Sequence, residues 1–221
     1  AFNGILFMRS KNPFDHEGIS ASLKGGITSQ EASGDNQYVD YSFRAAHKFS
    51  DKFAAKVNFG YLKGTDWAAV DYSDRNSDGG TRETNINYNG INIYGDVAST
   101  NIRAASGGLG IIPDVNVSRT GYEERDLTDY DAKSVKADWG LYFRPWANDF
   151  EIQYVGKVAS GSTIYQGAQR YRIDNFSLQQ HKLEIKNDDF FIRGYVNSDK
   201  AGDTYVLDVA GPNLLQAWKA H

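Results

Sequence analysis

Between Asp74 and Gly79 the chain runs Asp-Arg-Asn-Ser-Asp-Gly. Asp74, Asn76 and Asp78 at alternate positions, followed by a glycine for the sharp turn, make up the first half of an EF-hand calcium loop. Three such side-chain oxygens suit a hard cation. The twelfth position is Asn85 where that loop carries a bidentate Glu, and no flanking helices are evident. The same residues also make an ordinary polar turn. Calcium is thus the one candidate cofactor, and none is required. The surrounding stretch is rich in aromatics: Trp67, Tyr72, Tyr88, Tyr94, Tyr122 and Tyr130. Tyr72, Arg75, Tyr88, Tyr94 and Tyr122 are candidate ligand contacts, because such rings stack on sugars and other amphipathic molecules. The alternative is that half or more of the rings hold the loop together. Catalytic constellations are missing from the sequence. His16, His47, His181 and His221 are scattered without metal spacing, Gly107-Gly108-Leu109-Gly110 lacks the lysine of a phosphate loop, and there is no Gly-x-Ser-x-Gly and no cysteine. The chain is expected to bind rather than to catalyse.

The elements that position these residues are β-strands. In Phe53–Tyr61 the residues Phe53, Ala55, Val57, Phe59 and Tyr61 alternate with Ala54, Lys56, Asn58 and Gly60. In the run before it, Val39, Tyr41, Phe43, Ala45 and His47 alternate with Asp40, Ser42, Arg44, Ala46 and Lys48. This is period two, one apolar and one polar face per strand, and Ser50-Asp51 between the runs signals a tight turn. Weaker alternation covers Gly18–Ile27. Clear alternation returns in 134–144 (Val135, Ala137, Trp139, Leu141, Phe143) and 150–159. Residues 171–186 change parity after Ile173 and again before Leu183, as a β-bulge would make them, and 190–197 is the last strand. Pro212 and Asn213 predict a helix over 214–220. Connections are expected to alternate between long or intermediate (28–36 long, 66–132 very long, 160–169 intermediate, 198 onward long) and tight (50–52, 145–148, 187–189). Membrane barrels have long loops at one mouth and short turns at the other.

Strands about twice the ordinary length of 5–6 residues, apolar on one face with aromatics at the ends, fit a membrane-spanning barrel. The chain has 14 Tyr, 12 Phe and 22 Gly but only 4 Pro, a strand-and-turn composition. Mean hydropathy is −0.56, and no apolar run approaches the ~20 residues of a membrane helix. Alternating strands would hide a membrane face in such an average. Net charge of −4 and pI ≈ 5.6 argue against nucleic acid as partner. The opening AFNGILFMRSKNPF carries no initiator Met and no leader, so the chain is read as a segment of a longer protein. Seven strands leave an open edge that lipid would penalise, so further strands are expected.

Residues 3–13, Asn-Gly-Ile-Leu-Phe-Met-Arg-Ser-Lys-Asn-Pro, resemble the end of the plug domain in TonB-dependent outer-membrane transporters, with Gly4, Ile5, Leu6, Met8, Ser10 and Lys11 on the motif. Residues 176–184, 190–195 and 201–205 look like the barrel of the Bacteroidetes branch of that family. The resemblance implies residues 1–14 as the plug's last strand and link. It makes 15–221 about seven strands of a 22-stranded transmembrane antiparallel β-barrel, with 66–132 as a long extracellular loop. It implies a bacterial outer-membrane location and import of a small-molecule, oligosaccharide or peptide ligand. The implied partners are outer-membrane lipid, TonB (through a region not in this chain) and a surface lipoprotein. The competing readings are a structural barrel subunit and a soluble β-sandwich carbohydrate-binding module. Lys48, Arg44, Lys56, Lys136 and Arg144 are expected to face the lumen. Trp67 and Trp146 are expected in aromatic belts, and Trp218 in helix packing.

Overall fold

The computed structural model describes residue 4, residues 10–146 and residues 150–219. Most of the expected plug strand, and the side chain of Trp218, lie outside the described residues. Three long strands open the fold: β1 (Gly18–Gln30), β2 (Gly34–Lys48) and β3 (Phe53–Thr65). An insert follows with β4 (Ile93–Tyr94), β5 (Ser99–Asn101), α1 (Ile102–Ala105), β6 (Asn116–Ser118), β7 (Tyr122–Glu123) and α2 (Glu124–Leu127). The long strands resume as β8 (Asp131–Phe143), β9 (Glu151–Gln166), β10 (Arg170–Lys186) and β11 (Phe191–Lys200). The short β12 (Tyr205–Val206) leads into α3 (Leu207–Lys219). The seven long strands form one antiparallel sheet, each paired to the next long strand along the chain, with β12 added to β10.

The two faces follow the predicted parity. Cross-strand partners share a face, so the registers extend each residue into a row. One such row is Ile19, Ala45, Val57, Trp139 and Gly156. Another is Ala54, Tyr142, Gln153, Glu184 and Arg193. The first belongs to an apolar face that lies open: Ile19 is 77 % exposed, and Phe59, Leu141, Leu183, Ile192 and Val196 are all exposed. On this face Tyr154 Oη and His181 Nδ1 lie 2.9 Å apart. The second row belongs to a charged face on which Lys56, Glu151 and Glu184 are buried, while Lys24, Lys136 and Arg193 stay exposed. This inverts the soluble rule, in which apolar side chains go in and charges out.

Burying these charges is tolerable because they are paired. Glu151 accepts from Arg144 Nε at 2.9 Å, from Asn12 Nδ2 at 3.0 Å and from Gln153 Nε2 at 2.5 Å, with Lys186 Nζ at 3.5 Å. Glu184 is bonded to Arg193, with Lys182 at 3.5 Å. The chain before β1 lies across this face. Lys56 Nζ donates to Ser10 Oγ (2.7 Å) and Lys11 O (2.6 Å), the Arg144 guanidinium sits 4.1 Å over the Phe14 ring, and Pro13 is fully buried.

Tight turns join β2 to β3 and β10 to β11, as expected. Ser50 Oγ accepts from Phe53 N (3.1 Å), and Asn187 Oδ1 from Phe190 N (2.8 Å). At the opposite end two expectations are corrected. Residues 28–36 and 160–169 are not loops of that length: the ladders continue through Gln30–Gly34 and Gln166–Arg170, leaving turns at 31–33 and 167–169. Both faces of the β1–β2 extension are polar (Thr28, Ser29, Asp35, Asn36), so the pairing there persists after the apolar alternation has ended. The strict alternation of long and tight connections therefore fails. The helix is also corrected: it begins at Leu207, well before the Pro212-Asn213 start signal, with Pro212 inside it. Leu207 is fully buried, and tertiary packing decides the start.

Candidate functional site

The insert and α3 form one unit at the loop end of the sheet, held by Arg170 at the start of β10. A bulge aims that side chain. β10 carries an extra residue between Ile173 and Phe176, with Asn175 at φ 52, the left-handed region that Asn tolerates. Below the bulge Lys182 and Glu184 share the charged face. Above it that face passes to Tyr171 and Ile173, opposite Tyr165 and Thr163, and Arg170 and Arg172 turn to the other side.

There Arg170 meets Glu124, the first residue of α2. Nε lies 2.6 Å from Oε2 and Nη2 2.8 Å from Oε1, and both side chains are almost fully buried. Such a two-pronged pair is the strong form of a charge-assisted bond. Glu124 also accepts from Tyr94 Oη (2.9 Å) and Ala69 N (3.1 Å). The guanidinium donates to Trp67 O (2.8 Å) and stacks 3.9 Å from the Trp67 ring. The backbone N–H of Arg170 donates to Asp208 Oδ2 on α3 (3.3 Å). Burial, and then the adjacent Glu124 carboxylate, push the Tyr94 and Tyr130 hydroxyls well above their usual range. Both stay protonated as donors. α3 rests directly on the insert: a Cβ on Gly211 would come within 2.6 Å of Tyr94 backbone atoms. Arg172 adds a second anchor, 2.6 Å from Asp129.

The candidate ligand residues divide. Tyr88 and Tyr94 are buried, the first donating its hydroxyl to Tyr72 O (2.6 Å). Both lie in the core of the insert, where each hydroxyl finds an internal acceptor. Tyr122 is half-buried in β7, paired with Tyr94. Arg75 is exposed, with Nη2 bonded to Ile91 O (2.9 Å). Tyr72 is exposed and lines a cleft with Ser33, Val70 and Arg125 of about 60 Å³, room for a water or two.

Asp74 and Asn76 are engaged within the insert, Asn76 through Nδ2 to Asn87 O at 2.7 Å. Asp74 Oδ1 accepts from the N–H groups of Asn76 (2.9 Å) and Asn89 (3.0 Å), and Oδ2 from Asn85 Nδ2 (2.5 Å). Desolvation opposes its charge. These hydrogen bonds outweigh that and hold the carboxyl below its ordinary range. Asn85, the residue out of place in an EF-hand, is a donor closing this clasp. Among the described residues no group of three or more His, Cys, Asp or Glu side chains is placed to hold a metal. Trp67 is half exposed under Arg170, and Trp146, at the turn end, lies edge-on to Phe150 at 4.9 Å. Sequence reasoning missed Arg170, Glu124 and Asp208 altogether. No local spacing links positions 124, 170 and 208. Comparison with known protein-family models, curated proteins and solved structures finds no match to this chain.

Proposed function

We propose that this chain is part of the barrel of an outer-membrane transporter of the TonB-dependent kind, taking a nutrient from outside the cell to the periplasm. One observation carries the membrane reading: the sheet exposes its apolar face and buries Lys56, Glu151 and Glu184 on the opposite one. On β3 the apolar positions run from Phe53 to Tyr61, the length of about 9–11 residues that a tilted strand needs to cross a bilayer. The band ends below at aromatics beside the tight turns (Phe49, Phe53, Phe143, Trp146, Phe190), all exposed, and above at the cross-strand pair Lys63–Lys133. Aromatic girdles and flanking charges suit membrane interfaces. Among the described residues the outer edges of β1 and β11 are unpaired, which calls for further strands, since each unpaired backbone group in lipid costs several kcal/mol. Ser10–Phe14 across the charged face fits the link between a plug and its barrel. On this reading the Arg170 unit is extracellular, the tight turns are periplasmic, and TonB and a surface lipoprotein are the partners. Calcium at Asp74, Asn76 and Asp78 stays a subsidiary proposal, removed if calorimetry at millimolar calcium shows no heat.

The test uses the full-length protein in its own cells. A cysteine at Ser77 takes up a membrane-impermeant biotin reagent on intact cells, and one at Asp51 does not. Reversed labelling removes the topology. Nutrient uptake that persists without the TonB motor removes the coupling.

A further inference from the structure

At the turn end of the apolar face, the rows of β1, β2 and β3 contain two small residues on a diagonal. Ala45 lies between Ile19 and Val57, and Ala55 lies between His47 and Leu141. Together they floor a groove of about 620 Å³ walled by Ile19, Val57 and Phe49. The walls are exposed, Phe49 at 61 %. The mouth carries both signs of charge. His47 Nδ1 is 3.0 Å from Glu17 Oε2, and both side chains face solvent. Glu17 Oε2 also accepts from Lys48 N at 2.9 Å. In the turn beyond, Lys48 Nζ pairs with Asp51 at 2.6 Å. The His47 ring packs edge-on to Phe49 at 4.8 Å, and Phe49 packs against Phe53 at 5.5 Å. Charged and aromatic residues therefore meet where the apolar groove ends.

We infer that this groove is a binding site for one zwitterionic phospholipid of the phosphatidylethanolamine type, its acyl chain on Ala45 and Ala55 and its headgroup at Glu17 and His47. The inference rests on the membrane reading above. The groove is continuous with the apolar band and ends at the level of the aromatic girdle, where headgroups lie. An ammonium meets the Glu17 carboxylate, and a phosphate meets the His47 ring beside it. A headgroup with a phosphate alone leaves Glu17 facing a like charge.

The test is native mass spectrometry of the full-length protein, delipidated in detergent and titrated with dioleoyl-phosphatidylethanolamine or dioleoyl-phosphatidylglycerol. Flotation with vesicles of the same lipids runs in parallel. The wild type retains one phosphatidylethanolamine, about tenfold more readily than phosphatidylglycerol. Ala55→Phe, which fills the groove without touching the charged face, abolishes retention, whereas Val196→Phe elsewhere on the apolar face does not. Glu17→Gln removes the preference between the two lipids. Unchanged retention in Ala55→Phe overturns the site, equal retention of both lipids by the wild type overturns the headgroup assignment, and a dimer that Ala55→Phe dissociates hands the groove to a second copy. A protein that floats but retains no lipid loses this inference alone. One that does not float loses the membrane reading with it.

Discussion

The sheet and the Arg170 unit are built on opposite plans within one chain. The sheet turns Ile19, Val57 and Leu141 outward and covers Lys56, Glu151 and Glu184. The Arg170 unit buries Tyr88, Ile93, Tyr94 and Leu207 together with the Arg170–Glu124 pair and Asp96, and leaves Arg75, Asp78 and Arg125 exposed. The unit is thus assembled as a water-soluble domain is, and the sheet is not. On the proposed membrane reading the solvent changes along the strands: apolar alternation stops near Lys63 and Lys133, while β-pairing continues past them to Thr65–Asp131. The bulge at Asn175 lies on the far side of that change and turns β10 from one plan to the other.

The largest effect that would break this comparison is expected at the ion pair. Glu124→Ala leaves the Arg170 guanidinium buried without its partner, a loss of about 3–5 kcal/mol. The insert should then become cleavable by protease while the sheet stays protected; cleavage of both together would show that they are not separately built. Next is Val57→Arg, which places a charge in the middle of the apolar band and should cost about 2–4 kcal/mol in a bilayer. The same change at Ile111, 89 % exposed in the insert, should leave stability unaltered. Urea titration of protein folded into vesicles measures both, and equal effects would erase the distinction. A smaller loss is expected at the bulge. Asn175→Val forces a β-branched residue into the left-handed region, about 1–2 kcal/mol, and Asn175→Gly should be tolerated. Proteolysis at the α3 contact reads the difference, because Gly202, at φ 65, sits against the Asp174 carbonyl.

The smallest effects come from pH, and two carboxyls should pull in opposite directions. Asp96 is buried, with Oδ2 accepting from Gly90 N at 2.8 Å. Desolvation raises its carboxyl above the ordinary value despite that bond. A raised carboxyl adds stability below its unfolded value and loses it as pH rises through the folded one. The insert should therefore loosen slightly as pH climbs from about 4, and Asp96→Asn should flatten that slope. Asp74 is held low, so its contribution is present above the ordinary value and lost as pH falls through the lowered one. Amide exchange of Asn76 and Asn89 follows it, and exchange unaffected by acid would contradict the clasp.

Much of the sheet was legible because burial on one side imposes period two. The assignment of Lys56, Arg144 and Phe59 to their faces follows from parity alone. The parity slip near Ile173 marked the bulge correctly, but the second slip before Leu183 is no irregularity. There the strand continues unbroken, with Leu183 on the apolar face and Glu184 on the charged one. The polar ends of β1, β2 and β9 were illegible because neither face carries an apolar pattern there. The insert was illegible for a different reason. Its core is made by contacts between residues far apart, such as Glu124 with Arg170, and a tyrosine that stacks on a ligand has the same local sequence as one that donates to a buried carboxylate.

The central claim is that lipid covers the apolar face. Spin labels placed one at a time from Val135 to Phe143 on β8, in the full-length protein folded into vesicles, test it most directly. Labels at Val135, Ala137, Trp139, Leu141 and Phe143 should collide with oxygen, which concentrates in lipid, and be shielded from a water-soluble nickel chelate. Labels at Lys136, Asp138, Gly140 and Tyr142 should not show that oxygen-rich, chelate-shielded signature. A two-residue period of that phase supports the account. Chelate access at Trp139 and Leu141 equal to that at the neighbouring positions would contradict it.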